Sequence, residues 1–197
     1  MKTRYTIPIL SILLFISLQS CVNYVQNPAE KAVVVDSNQT ISEQEVLDAQ
    51  QAWGEGIVKI GKAYTDSADY VTIATDHINN FYGYKSGLVL FKPTLASVVQ
   101  FRTSFDGALS YFVAGNPNYP EDHGFAIKPW SNVRWESTGI IIQGNMAVAM
   151  GNYYFTPARG GDEVKVEYSF AYTKNTDGQL SIVLHDSHLP YKPKESH

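Results

Sequence analysis

The sequence predicts an α+β domain in which helices precede a series of long, mostly antiparallel strands. Apolar residues between residues 42 and 81 recur at the three- and four-residue spacing of amphipathic helices. From residue 132 onward, large apolar residues alternate with polar or small ones between turn sequences, as in strands. Long strands beside an amphipathic helix favour a curved sheet that wraps around the helix as a cone. Such a cone commonly holds a pocket between sheet and helices.

Three helices are predicted at the start of the domain. The first begins after Ser42, which forms a capping box with Glu45. A second is predicted over residues 68–81, with His77 on its apolar stripe, where a hydrogen-bonded core histidine is the usual outcome. A short third helix covers residues 105–113. Three glycines weaken the first helix. We therefore expect at least one of them to allow close approach by a neighbouring element. They are Gly54, Gly56 and Gly61.

The predicted strands are separated by recognisable turn sequences. Gly144-Asn145 is a two-residue hairpin signal between two long alternating segments. Pro93 ends a short strand because it has no backbone N–H to extend a ladder. Further turns are predicted at residues 159–162 and 175–178. The predicted strands cover residues 88–91, 132–143, 146–156, 164–174 and a last strand from Ile182.

The N-terminus has the features of a bacterial lipoprotein signal. Lys2 and Arg4 precede a mainly apolar run over residues 7–18, which is too short to cross a bilayer comfortably. Cys21 is the sole cysteine and follows a lipobox-like sequence. We expect a signal peptide over residues 1–20, lipidation at Cys21 and a polar tether over residues 21–41. An ordinary cleaved signal followed by a chance cysteine is the alternative.

These features predict a protein of the bacterial cell envelope that faces the periplasm and touches the membrane only through its N-terminal lipid. The domain is expected over residues 42–191, with a polar tail over residues 192–197. Removal of Lys2 and Arg4 with the signal leaves 13 basic against 19 acidic residues, a net charge of −6. An acidic surface is a poor partner for nucleic acid. With Cys21 lipidated, the domain has no cysteine left for a disulfide or a thiolate metal site.

The last strand concentrates the groups that can exchange protons. Side chains alternate between faces in a strand, so His185 and Ser187 share one face while Asp186 and His188 share the other. Each face therefore offers at most two metal ligands. A zinc site would need a further ligand from elsewhere. The candidates for that ligand are His77, Asp122 and His123.

Other chemistries find little support in the sequence. It contains neither a Gly-x-Ser-x-Gly elbow nor a glycine-rich phosphate loop. Acid–base and hydrogen-bond chemistry on a small neutral or anionic substrate remains. His185 is the candidate proton carrier, because histidine changes charge readily near neutral pH.

Several sequence blocks together resemble the iota-class carbonic anhydrases, which belong to the NTF2-like (SnoaL-like) superfamily. The resemblance covers about residues 52–191 and implies the cone-shaped α+β fold of that superfamily. The blocks are Ala52-Trp53-Gly54-x-Gly56-Ile57, Phe91-Lys92-Pro93-Thr94, Gly107-Ala108-Leu109-Ser110-Tyr111-Phe112-Val113, Pro120-Glu121-Asp122-His123-Gly124-Phe125 and Leu184-His185-x-Ser187-x-Leu189-Pro190.

The resemblance implies reversible hydration of carbon dioxide to bicarbonate in a hydrogen-bonding pocket. It implies that no metal is needed, with manganese as the alternative cofactor, and that Thr94, Tyr111, His185 and Ser187 are the catalytic residues. Further residues are candidates for the substrate pocket: Phe112, His123 and Tyr168. A homodimer is expected, because folds of this type often pair through the outer face of the sheet.

The chain departs from the family in its last strand. The family strand usually reads His-His-Ser-Ser, whereas this chain has Asp186 and His188 at the second and fourth positions. If the working face is that of His185 and Ser187, both changes fall on the opposite face. The alternative function is a non-enzymatic NTF2-like lipoprotein that binds a small ligand or serves as an assembly module.

Overall fold

A computed structural model of the chain describes residues 40–175 and 177–193. It contains three α-helices, α1 (Glu43–Thr65), α2 (Tyr70–Phe81) and α3 (Phe105–Val113). The capping box at the start of α1 is present, because the Ser42 hydroxyl accepts the Glu45 N–H and the Glu45 carboxylate accepts the Ser42 N–H. A single 3-10 turn (Gly83–Lys85) follows α2.

The strands form one five-stranded sheet in the order β1-β5-β4-β3-β2. All neighbouring strands are antiparallel except β1, which runs parallel to β5. This arrangement confirms the predicted α+β class with a mostly antiparallel sheet. The strands are β1 (Leu90–Lys92), β2 (Trp130–Gln143), β3 (Met146–Pro157), β4 (Val164–Lys174) and β5 (Leu180–His188).

Element boundaries differ from the predictions by one or two residues. Helix α2 begins at Tyr70 rather than at residue 68, because the Asp69 side chain accepts the Thr72 N–H and so caps the helix. Strand β1 covers 90–92 instead of 88–91, since only these residues pair with β5. Strand β2 begins two residues earlier than predicted, at Trp130, where its ladder with β3 starts.

The core lies between the inner face of the sheet and the helices. The predicted alternation along β4 is present, and Val166, Tyr168, Phe170 and Tyr172 are all buried. The indole of Trp53 on α1 lies at the centre, with aromatic neighbours from α2, α3 and the four strands β2 to β5. Gly56 allows α2 to approach α1, because a Cβ there would lie 2.1 Å from Nδ1 of His77.

A β-bulge in β5 determines which of its side chains enter the core. Ile182 pairs with Tyr172 and Leu184 pairs with Ala171, so Val183 is an extra residue without a partner in β4. After the bulge, His185 lies opposite Phe170 and Ser187 lies opposite Tyr168. Strict alternation from buried Ile182 would instead turn Asp186 inward. The bulge therefore places His185 and Ser187 on the inner face.

Several predictions lie outside the described residues. They are the signal peptide over residues 1–20, lipidation at Cys21, nearly all of the tether and the end of the C-terminal tail. Within the part of the chain that the structure describes, no helix has the length and apolar composition needed to span a membrane.

Candidate active site

Two adjoining cavities open between the sheet, α3 and the loop that follows α3. The inner cavity has a volume of about 10 Å³, near the roughly 10–15 Å³ that one water molecule requires. The outer cavity measures about 220 Å³ and reaches the surface. Thr94, Tyr111 and Phe125 line both cavities, so these residues form the junction between them.

Two hydroxyls meet on the inner cavity wall. Thr94 lies two residues beyond β1, and its Oγ1 is 2.8 Å from Oγ of Ser187 on β5. Because β1 runs parallel to β5, the chain that leaves β1 passes beside Ser187. Ser187 is buried, and either hydroxyl can donate in this pair. The pair therefore leaves one proton and several lone pairs free for a ligand.

Tyr111 contributes a third hydroxyl from the buried face of α3. Its Oη is buried and has no hydrogen-bond partner among the described residues. Burial raises the pKa of Tyr111 to about 12, although the Leu95 backbone and the Thr94 hydroxyl nearby oppose that rise. The phenol therefore remains protonated at neutral pH. Its unpaired hydroxyl can donate to a ligand at the junction of the cavities.

The imidazole of His185 is enclosed by aromatic rings and by two phenols. It stacks on Phe91, with ring centroids 4.8 Å apart, and on Phe170, at 4.1 Å. Nδ1 lies 2.9 Å from Oη of Tyr82, and Nε2 lies 3.2 Å from Oη of Tyr153. Both ring nitrogens are thus occupied.

These contacts form a directed chain of hydrogen bonds. Trp53 Nε1 can only donate, and it donates to Oη of Tyr82 at 3.1 Å. The Tyr82 proton is then available for Nδ1 of His185, which favours the tautomer with the hydrogen on Nε2. That hydrogen faces Tyr153, whose own hydroxyl is left free to donate to another group in the inner cavity, which Thr94 and Ser187 also line.

The surroundings of His185 do not suit the proton-carrying role predicted for it. Burial lowers the pKa of His185 to about 3, because the low-dielectric surroundings penalise the charged form. The neutral ring also has no nitrogen that faces the cavity free of a partner. These contacts allow His185 to orient Tyr153 beside the Thr94–Ser187 pair, and the catalytic role of His185 stays a prediction.

The other predicted pocket residues are distributed unevenly. Phe112 lines the inner cavity, and His123 lines the outer one. Tyr168 lies outside both cavities, since its ring packs on Trp135 and its hydroxyl accepts from Gln50 at 3.4 Å. The sequence could not separate Phe112 from Tyr168, because both belong to buried faces of regular elements.

Sequence reasoning missed Tyr82 and Tyr153 as parts of the site. The alternation of β3 could have placed Tyr153 inward, since it shares a face with Ala147, Ala149 and Gly151. No sequence pattern identifies Tyr82, which lies at the end of α2 and forms an isolated bridge with Ile182.

A buried ion pair supports the loop beside the cavities. The Arg102 guanidinium is fully buried and its Nη2 lies 2.7 Å from Oδ1 of Asp122. The other Asp122 oxygen accepts the Ser110 hydroxyl at 2.6 Å. Burial raises the pKa of Asp122, although Ser110 and Arg102 oppose that rise. This pair ties α3, which carries Tyr111, to the loop that carries His123.

The residues that depart from the family lie on the outer face of the sheet. His188 Nε2 is 3.2 Å from a carboxylate oxygen of Glu167, and Asp186 lies 3.7 Å from the Lys92 ammonium. Both groups are partly exposed to solvent. The same Lys92 also donates to the Ser187 carbonyl at 3.0 Å.

The inner cavity does not offer the donors that manganese prefers. Its polar groups are the hydroxyls of Thr94, Tyr111, Tyr153 and Ser187 and the fully bonded imidazole of His185. Manganese favours carboxylate, carbonyl and water ligands. Across the two described ranges, no three histidine, cysteine, aspartate or glutamate side chains cluster closely enough to hold a metal ion.

The fold and this pocket define an NTF2-like protein, a cone whose hydrophobic interior carries a small polar site. Residues 44–189 match the family model described as metal-independent carbonic anhydrase. A metal-independent carbonic anhydrase of Nostoc sp. (strain PCC 7120) is 43% identical over 158 residues, which cover 79% of this chain and 77% of that protein. The chain therefore belongs to the metal-independent carbonic anhydrase family, as its sequence blocks predicted.

Solved structures agree with this assignment. The iota-carbonic anhydrase from a cyanobacterium, crystallised with bicarbonate, superposes with a TM-score of 0.77 at 42% identity, covering 80% of this chain and 98% of that one. An NTF2-like family protein from Streptomyces avermitilis superposes with a TM-score of 0.50 at 11% identity, covering 76% and 96%. The second likeness is one of fold alone, and it confirms the NTF2-like architecture.

Proposed function

We propose that the protein catalyses the reversible hydration of carbon dioxide to bicarbonate without a metal ion, at the junction of the two cavities. The reaction and the absence of a metal follow from membership of the family and from the relative that binds bicarbonate. The observation that supports this position is the convergence of the Thr94, Ser187 and Tyr111 hydroxyls, one of them unpaired, where the cavities meet.

Water is held by the Thr94–Ser187 pair. The inner cavity has room for about one water molecule, and both hydroxyls can donate or accept. Bicarbonate has four heavy atoms and extends from this position toward the outer cavity. The attacking water therefore approaches carbon dioxide from the inner side.

Tyr111 stabilises the negative charge that develops on the carbon dioxide oxygens. Because the pKa of Tyr111 is raised to about 12, its hydroxyl stays protonated and donates to the forming oxyanion. Tyr153, which His185 orients, polarises the Ser187 hydroxyl and so helps to stabilise the same negative charge. Such preorganised donors act strongly where water is largely excluded.

The apolar rings beside the hydroxyls suit a substrate without a net dipole. Trp53, Phe91, Phe112 and Phe125 surround the three hydroxyls. Because the bound water fills the inner cavity, carbon dioxide lies at the junction against Phe125, whose ring lines both cavities, and bicarbonate is held by the hydroxyls at the same place. With no metal to lower the pKa of bound water, the protein is expected to be slower than a zinc enzyme.

The direct test is carbon dioxide hydration by purified protein treated with a strong chelator. We expect the treated protein to retain its activity and Tyr111→Phe to lower kcat/KM by about 10²–10³-fold, the usual cost of removing one oxyanion donor. Tyr154→Phe is the matched control, because its hydroxyl donates to Glu136 on the exposed face. Loss of activity on chelation with recovery in manganese would overturn the metal-free mechanism.

The cellular location is a separate proposal. We place the protein in the bacterial cell envelope, anchored by a lipid on Cys21 and facing the periplasm, because the first 21 residues have the order of a lipoprotein signal. Palmitate labelling and membrane fractionation test this in the native host. Wild type is expected in the membrane fraction with label, and Cys21→Ser without label in the soluble fraction.

Self-association through the outer sheet face is a further part of the proposal. Ile141, Val148 and Met150 are exposed there and lie on the adjacent strands β2 and β3. Exposed apolar groups of this kind often mark protein contacts. Light scattering should report a homodimer for wild type and a monomer for Val148→Lys. An unchanged mass would contradict this interface.

A further inference from the structure

Hydration of carbon dioxide releases a proton, and the inner cavity has no group suited to carry it away. The water oxygen forms the new bond to carbon, one C=O electron pair moves onto oxygen, and one water proton leaves. His185 has a pKa lowered to about 3 by burial, so it does not hold a proton at neutral pH. Tyr111 and Tyr153 are already protonated, because burial raises their pKa values. The proton therefore leaves through the outer cavity.

Four charged or ionisable side chains besides Tyr111 line the outer cavity: Glu121, Asp122, His123 and Lys128. Glu121 accepts the N–H groups of residues 97–99 and the Ser97 hydroxyl, which lower its pKa to about 2. Both oxygens of Asp122 are occupied by Arg102 and Ser110. The protonated amine of Lys128 has no lone pair to accept a proton. These three groups are therefore poor carriers.

His123 differs from the other three. It is exposed to solvent and also lines the cavity that begins at Thr94 and Tyr111. Among the described residues it is the one imidazole on the wall of this cavity. Histidine is the side chain that ordinarily gains and loses a proton between pH 5 and 8. The cavity volume of about 220 Å³ leaves room for several water molecules between the hydroxyls and this ring.

We propose that His123 is the proton-transfer residue of the reaction, which accepts the proton released at the Thr94–Ser187 pair through water in the outer cavity and passes it to buffer. The inference rests on the proposed carbonic anhydrase activity. In the dehydration direction, the same ring donates the proton to the departing hydroxide, so water and carbon dioxide are the products.

The test compares wild type and His123→Ala in dilute, bulky buffer. The kcat for hydration includes proton release, whereas kcat/KM reports only the steps through carbon dioxide conversion. We expect kcat of the variant to fall roughly a hundredfold, the lower range of positioned proton transfer, while kcat/KM stays unchanged. Added imidazole should restore kcat with saturation, because a small free base can replace the missing ring.

His188→Ala is the matched control, since His188 is also exposed but lies on the outer sheet face beside Glu167. It should leave both kinetic parameters unchanged. A parallel fall of kcat and kcat/KM in His123→Ala, unchanged kinetics, or failure of imidazole to restore kcat would each overturn the inference. If wild type itself showed no hydration above background, the proposed activity would fail instead.

Discussion

The two faces of β5 place similar side chains in opposite environments. On the inner face, His185 and Ser187 are buried among aromatic rings and bonded to phenols and to Thr94. On the outer face, Asp186 and His188 lie among charged neighbours and solvent. The comparison teaches that the family departures fall where water screens them. The chemistry of the pocket depends on the inner face of β5, which Asp186 and His188 do not contact.

The largest effect is expected from breaking the buried ion pair beside the pocket. Asp122→Asn should lower the free energy of unfolding by about 3–5 kcal/mol, because it breaks the buried pair and leaves the Arg102 guanidinium with only the Glu121 carboxylate, 3.7 Å away, as a countercharge. The side chains of Arg102 and Asp122 are 0% and 1% exposed. Urea denaturation measures the change.

The outer ion pair supplies the control for this prediction. Asp186→Asn should cost only about 0–1 kcal/mol, since the Lys92 and Asp186 side chains are 29% and 43% exposed. Equal losses in the two variants would show that burial does not distinguish the faces.

The next effect is on catalysis. Ser187→Ala should lower kcat/KM for hydration by about 10²–10³-fold, because it leaves Thr94 without its partner and removes one hydroxyl from the cavity. Ser169→Ala is the matched control, since Ser169 pairs with Asp186 on the outer face. Stopped-flow assays measure both. If the control lost as much activity as Ser187→Ala, the inner face would not be the working one.

The stability of the protein in acid should depend on its two buried histidines. Burial lowers the pKa of His77 and of His185 from 6.5 to about 3. The unfolded chain therefore binds more protons than the folded one between these values. Stability is greatest above about pH 6.5 and should fall by about 1.4 kcal/mol per pH unit for each histidine as the pH drops toward 3.

Urea midpoints measured across this pH range test the prediction. His77→Gln should reduce the slope of the unfolding free energy against pH by the contribution of one proton. A flat dependence between pH 6.5 and pH 4.5 in wild type would contradict the buried, neutral state of both rings.

The smallest effect is expected from restoring the family residues on the outer face. Asp186→His combined with His188→Ser should change kcat/KM by less than about twofold, as is usual for substitutions distant from buried groups. A marked increase in the hydration rate would show that these departures cost activity. It would also mean that the outer face influences the pocket.

The sequence predicted most of the fold because its helical and strand periodicities agree with where the chain buries its apolar groups. The Ser42 capping box, the Gly144-Asn145 hairpin and the alternation along β4 each appear as expected. The errors in predicted secondary structure were confined to the ends of elements. There the boundary depends on a capping side chain such as Asp69, or on how many residues pair with the neighbouring strand.

The site was predicted less completely. Resemblance to the family brought Thr94 and Ser187 together, and the structure places their hydroxyls 2.8 Å apart. The sequence analysis named neither Tyr82 nor Tyr153, whose hydroxyls contact the two nitrogens of His185, although the alternation of β3 turns Tyr153 inward. These contacts join residues 32 and 103 positions apart. Such contacts form only when the sheet and helices pack.

By itself, the sequence determined which segments become helices and strands, and it placed His185 and Ser187 on one face of the last strand. Only the tertiary structure decided that this face looks inward. One unpaired residue, Val183, shifts the register between β4 and β5. Side chains in a strand alternate with a period of two. That single extra residue therefore exchanges the buried and exposed faces for the rest of β5.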